Sequence, residues 1–266
     1  MRDPLSFEHR PFVMAMIHVA ALPGTPTYGG NFQAILDQAL KEARIYREAG
    51  VDGLLIENMH DTPYLNRVVG PEIVAGMAIV GHEVRKQAAL PTGIQILAGA
   101  NQAALAVALA AQLDFIRAEG FVFGHVADEG WMDSDAGTLL RYRHQIGGQH
   151  IPIWTDIKKK HSSHALTADV DLVETAKAAA FFRSDGLIVT GTSTGAPADP
   201  VAVQTVREAT RLPVIIGSGI TADNCRQYRA HCDGFIVGSY FKEDGHWTAP
   251  VDAKRVRGLL RSLGRS

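Results

Sequence analysis

The chain has 266 residues, 46% of them apolar and 20% charged, which suits one large α/β domain or two small ones and excludes a disordered chain. Acidic and basic residues nearly cancel, 28 against 26, so the net charge of −2 gives no field to gather nucleic acid or anionic lipid, and neither is expected as a partner. Two cysteines, Cys225 and Cys232, make neither a disulfide framework nor a zinc-binding spacing, which fits a reducing compartment.

Residues 1–11 are mixed in charge, carry no apolar leader core, and read as the N-terminal extension of a cytoplasmic protein. From there short apolar runs alternate with amphipathic helical stretches along the whole chain. A strand is expected at 12–18 and a helix at 33–49, then 53–57 with 71–88, 93–97 with 101–113, and 115–119 with 135–146. The second half repeats the pattern: 151–156 with 169–182, 186–190 with 200–210, 214–217 with 221–229, and 234–237 with 253–263. The apolar run near 103–113 is the longest and falls well short of the ~20 residues of a membrane span, so no integral membrane segment is expected.

Several helices close on a Gly, and Asp52-Gly53, Asp185-Gly186 and Asp233-Gly234 open the next strand, a pattern of tight αβ turns. Strands that are apolar throughout imply a parallel sheet covered by helices, and eight such units imply a closed (β/α)8 TIM barrel formed by residues 1–266 as one domain. An open doubly wound sheet would call for Gly-x-Gly-x-x-Gly after the first strand, where Ala21-Leu22-Pro23-Gly24-Thr25-Pro26 stands instead. The long connections 120–134 and 158–168 lie after strands, at the face where barrels build their sites, and are expected to act as lids or site walls.

The turns Gly217-Ser218-Gly219 and Gly238-Ser239, after the seventh and eighth strands, are the expected phosphate cradle, since glycine lets backbone N–H groups approach an anion and the serines can donate hydroxyls. Thr190, Gly191 and Thr192 stand on the adjoining edge as a further wall or a polar loop. Ionisable residues at other strand ends converge on the same volume: His18, Glu57 with Asn58, Glu119, and Asp156 with Lys158. Glu57 or Asp156 is a candidate base, His18 a carbonyl polariser, and Lys158 a phosphate or enolate clamp or an amine nucleophile; Arg117 is a candidate ion-pair partner for one of the acids. Alternatively Glu57, Glu119 and Asp156 hold a divalent metal through oxygen. His60 and Asp61 either reach the site or shape its loop. No Gly-x-Ser-x-Gly elbow, His-Glu-x-x-His helix or Walker loop is present.

Met16-Ile17-His18 with Leu22-Pro23-Gly24, Asp52-Gly53 with Ile56-Glu57-Asn58, Glu119-Gly120-Phe121, the run from Trp154 through Asp156 to His161, and Gly217-Ser218-Gly219 together resemble the BtpA/SgcQ family over residues 12–261. The resemblance implies a barrel similar to the ribulose-phosphate-binding group, in a family named for photosystem I biogenesis and for a bacterial sugar-metabolism gene cluster. Two functions are therefore expected in competition. One is a lyase or isomerase acting on a small phosphorylated metabolite such as a sugar phosphate. The other is a non-catalytic assembly factor whose loop bearing Phe121, Phe123, Trp131 and Met132, or a helix face, holds a partner protein. A homo-oligomer is expected, and the same loop suits its interface.

Overall fold

The computed structural model describes residue 5, residues 7–191 and residues 196–265; Thr192 lies outside the described residues. In chain order the elements are β1 (Phe12–His18), α1 (Phe32–Ala49), β2 (Gly53–Glu57), α2 (Pro71–Ala88), β3 (Thr92–Gln95), α3 (Asn101–Ala110) and β4 (Phe115–Ala118). A hairpin of β5 (His125–Ala127) and β6 (Gly130–Met132) precedes α4 (Ala136–Gln145) and β7 (Ile153–Ile157). After β8 (Ser162–Ser163) come α5 (Leu172–Phe181), β9 (Gly186–Val189), α6 (Pro200–Ala209), β10 (Val214–Ile216), α7 (Cys225–Tyr228), β11 (Gly234–Val237) and α8 (Ala253–Ser262). Strands β1, β2, β3, β4, β7, β9, β10 and β11 pair in that order and close on β1, all neighbours parallel, so the fold is the expected (β/α)8 barrel.

Side chains alternate across a strand, so every second residue points into the barrel. Phe12, Met14, Met16, Leu55, Phe115, Trp154, Ile188, Ile215 and Ile236 form that inner plug, distinct from the larger core between strands and helices. Two residues further along each strand the same face changes character: His18, Glu57, Gln95, Arg117, Asp156, Thr190, Gly217 and Gly238 are polar or glycine. The apolar floor therefore gives way to a polar layer at the C-terminal ends of the strands.

The Asp-Gly pairs have a more specific cause than a turn. Asp52, Asp185 and Asp233 each accept an N–H at or next to the start of a neighbouring strand, from Val13, Ile153 and Val214 at 2.6, 2.9 and 2.9 Å. Glycines near the strand starts make room for rings at the barrel bottom: a Cβ on Gly234 would stand 2.2 Å from the Phe12 ring, and one on Gly93, which follows Thr92, 2.3 Å from the Phe115 ring. Phe7, from the N-terminal extension, stacks on Phe12 at 4.1 Å and extends the plug downward. Phe12 cannot yield between Phe7 and Trp154, so Gly234→Ala is expected to cost about 1–3 kcal/mol in urea unfolding through overpacking. Combining it with Phe12→Leu should restore part of that loss, and a neutral Gly234→Ala would show the plug to be loose.

Helix α7 is shorter than the expected 221–229 because Thr221 and Asn224 cap one another. Thr221 N donates to Asn224 Oδ1 at 2.8 Å and Asn224 N to Thr221 Oγ1 at 3.3 Å, which holds residues 221–224 as a turn. The two long connections contain structure that strand and helix periodicity did not reveal: β6, β5 and β8 form a small antiparallel sheet. Among the described residues no helix is long and apolar enough to cross a membrane.

Candidate functional site

A cavity of about 410 Å³ opens above the polar layer. Its walls include His18, Glu57, Arg117, Glu119, Lys159 and Lys160. Gly217 to Thr221, Gly238 to Tyr240 and Arg255 complete the lining, with Gly238 against the His18 ring and Gly217 near Arg117 Nη2. The small sheet covers it: Asp128 and Glu129, at the β5–β6 turn, line the cavity, and Phe121 and Met132 are buried beneath. Arg67 ties this cover to the barrel by donating to Gly99 O, Gly120 O and Asp135 Oδ2 at 3.1, 2.9 and 2.8 Å. The connection is thus a lid packed over the strand ends, with Phe123, Val126 and Trp131 left on its outside.

Asp156 is inward by alternation but does not line the cavity. Both its oxygens are taken by Arg117, through Nε at 2.8 Å and Nη2 at 2.9 Å, and both side chains are buried. It acts as the counter-ion that fixes the guanidinium, so the expectation of Asp156 as a base is corrected, while Arg117 itself faces the cavity. Lys158 is a second correction. Its φ of 47° is left-handed, which breaks the strand alternation and sends its side chain outward, where Nζ donates to Thr167 O at 3.2 Å. The two following lysines face the cavity in its place.

Lys159 is bound to Glu119 at 3.2 Å and lies 3.7 Å from Glu129. Burial works to raise the Glu119 carboxyl, but the charges of Lys159 and Arg117 outweigh it and hold it below the usual range. Glu57 goes the other way. Burial is the largest influence on it and pushes its carboxyl up, against the partial opposition of Arg117 and Lys160. His18 stands beside Glu57, with Nε2 3.9 Å from Glu57 Oε2. Its Nδ1 lies 3.2 Å from Trp247 O, an oxygen that can only accept, so the proton is on Nδ1 and Nε2 offers a lone pair. Burial, then the charge of Lys242, push the imidazole down to about 3, so it is neutral near neutral pH.

With Asp156 held by Arg117 and Glu119 by Lys159, the acids expected to share a metal are separately engaged, and among the described residues no group of three or more His, Cys, Asp or Glu could hold a metal ion. Asn58 is also reassigned. Its Nδ2 donates to Asp61 Oδ2 and its Oδ1 accepts from Leu97 N, both at 2.8 Å, while Asp61 Oδ1 accepts from Leu22 N; the pair shapes the loop after β2.

Gly217, Ser218, Gly219, Gly238 and Ser239 all stand on the cavity wall. The Ser218 hydroxyl is occupied within the turn, accepting from Gly191 N and donating to Ala196 O, so Gly191 supports the cradle from behind. Ser239 opens the short turn Ser239–Phe241, and Arg255 reaches the same wall, its Nε anchored on Tyr240 O at 2.6 Å. Among the described residues, inward polar atoms without a hydrogen-bond partner include both amide atoms of Gln95, cross-strand neighbour of Glu57, and the Thr190 hydroxyl. Lys160, Arg255 and Gln95 were missed by sequence reasoning. Gln95 was legible as a lone amide on an inward strand position, whereas Lys160 and Arg255 depend on a turn and a helix placement that periodicity does not encode.

The BtpA family model matches residues 9–265. A Caenorhabditis elegans protein described as mitochondrial and uncharacterized is 51% identical, covering 96% of this chain and 93% of its own. The photosystem I biogenesis protein BtpA of Synechocystis is 30% identical, covering 96% of this chain and 88% of its own. Among solved structures, orotidine 5'-phosphate decarboxylase from Pyrococcus horikoshii superposes with a TM-score of 0.61 at 11% identity, covering 95% of this chain and 100% of its own, a likeness of fold. The family match spans nearly the whole chain, and the chain belongs to the BtpA family.

Proposed function

We propose that this protein is an enzyme that takes a small phosphorylated metabolite, such as a sugar phosphate, through a lyase or isomerase reaction begun by proton transfer beside a carbonyl. The observation that carries the reading is a single cavity whose lining joins the glycine and serine turns and Arg255 to a buried acid, Glu57, and a fixed cation, Arg117. Phosphate fits the turns, where Gly217, Gly219 and Gly238 admit close backbone approach and Ser239 and Arg255 add a hydroxyl and a positive charge. The other end of a short substrate then meets Glu57 as the proton carrier and Arg117 as the stabiliser of enolate charge. The decarboxylase that shares the fold has a phosphorylated substrate by its name, which is consistent with this use of the strand ends.

Stabilisation against heat tests the phosphate site directly. A ligand at a hundredfold excess over Kd adds about 2.7 kcal/mol, so sugar phosphates should raise Tm where the unphosphorylated sugars do not. Ser239→Asp should abolish the shift by placing a carboxylate in the cradle, and Arg255→Met should weaken it. Gly219 is a poor site for this test: its φ is +70°, and a Cβ there would come within 2.3 Å of Ala196 O, so the turn itself would break. Absence of a shift with every phosphorylated compound would favour the second reading, an assembly factor, which the name of the Synechocystis relative suggests and which would use the exposed Trp131, Val126 and Phe123 outside the lid.

A further inference from the structure

We propose that Lys160 is an amine nucleophile that forms an imine with substrate, so that the phosphorylated metabolite of this site is an aldehyde or ketone bound covalently through its carbonyl carbon. The proposal rests on the phosphate reading above and names the substrate class.

The three consecutive lysines have separate fates. Lys158 is turned outward onto Thr167 O, and Lys159 is held by Glu119 and Glu129. Lys160 lines the cavity, and its side chain makes no hydrogen bond or ion pair with any described residue. Lys160 is half-buried, and an ammonium that gives up part of its hydration without a partner is biased toward the neutral amine. Burial pushes this amine down, and the neighbouring Arg117, held cationic by Asp156, pushes it further in the same direction; Glu57 and Asp156 oppose them. Partial desolvation beside a second cation favours the free amine, the form that attacks a carbonyl. Arg117 already supplies the fixed positive charge of this wall, so the distinct chemistry Lys160 adds is a lone pair.

The step balances without a further reactant. Nζ attacks the carbonyl carbon, the C=O π pair moves to oxygen, and one proton passes from the nitrogen to that oxygen to make a carbinolamine. Glu57 relays a proton from water to the departing hydroxyl and returns to the carboxylate that can take a substrate proton. One water leaves and the C=N bond remains. The protonated imine then draws electrons from the adjacent carbon, which makes its proton or its C–C bond easier to break.

Borohydride reduction tests this. The full-length protein is incubated with glycolaldehyde phosphate or dihydroxyacetone phosphate, treated with sodium borohydride, and mapped by peptide mass spectrometry. The expected result is one reduced adduct per chain on Lys160, formed before any on Lys158 or surface lysines and suppressed by inorganic phosphate. Lys160→Met and Lys160→Arg should both lose the adduct completely while keeping the wild-type far-UV spectrum and the thermal shift with inorganic phosphate. Adducts scattered over surface lysines and indifferent to phosphate would overturn the proposal. So would a missing adduct together with a phosphate shift lost in Lys160→Met and retained in Lys160→Arg, which would make Lys160 an anion anchor. No adduct with an intact phosphate shift sinks the imine and leaves the phosphate site standing; loss of both sinks both.

Discussion

Asp156→Ala is expected to destabilise the protein by about 3–5 kcal/mol, because it leaves the Arg117 guanidinium buried without its bidentate partner. In a domain of this size that corresponds to a fall in Tm of roughly 10 °C. The cost is that of an orphaned charge and does not measure the worth of the pair, since two charges brought into a barrel lose much of their attraction to desolvation. The double variant Arg117→Met, Asp156→Leu removes both charges and should therefore be more stable than Asp156→Ala alone. It should nevertheless lose turnover, because the cavity would lose its fixed cation. Glu57 and Glu119 also act on Arg117 and will absorb part of the imbalance in the single variant, which places the effect toward the lower end of the range. A change in unfolding free energy below 1 kcal/mol, or additive effects of the two substitutions, would show that the pair is solvated and that Arg117 is not held in place by it.

The fold was readable from the sequence because a buried parallel strand leaves an unmistakable trace. The expected and observed bounds coincide for β1, β2 and β11, where Asp-Gly or Pro11 sets the start and the last apolar residue meets a polar one or a glycine. The glycine turns after β10 and β11 were readable for the same reason, and they do line the cavity. The acid and base assignments were harder. Strand alternation correctly directs Asp156 inward, yet alternation says nothing of the cross-strand reach of Arg117, which absorbs it. Lys158, two residues on, extrapolates to the cavity only if the strand continues, and a left-handed residue at that position ends it. The lid sheet was hidden because its strands are only two or three residues long, below the length at which a period of two stands out.

Glu57→Gln is expected to lower kcat/KM by about 100- to 10,000-fold, the usual contribution of a positioned proton carrier, while Tm stays unchanged or rises. The structure ranks the acids for this role. Asp156 is consumed by Arg117, and Glu119 is kept ionised and hydrogen-bonded by Lys159, which makes it a weak base. Glu57 is desolvated, with a raised pKa, and borders the same cavity as Arg117 and Lys160. The neighbouring His18 stays neutral and offers only an acceptor at Nε2, so His18→Gln should perturb substrate orientation with a smaller loss. A readout that presupposes no product is the exchange of the carbon-bound protons of dihydroxyacetone phosphate with deuterium oxide, followed by NMR. The pH dependence gives the sign. A base must be unprotonated, and burial raises Glu57, so the rate should fall on acidification at a pH above the ordinary carboxylate range of about 4.3. That limb should vanish in Glu57→Gln. If the acid limb instead survives in Glu57→Gln and vanishes in Glu119→Gln, the proton carrier is Glu119, and Lys159 must leave its carboxylate during the reaction.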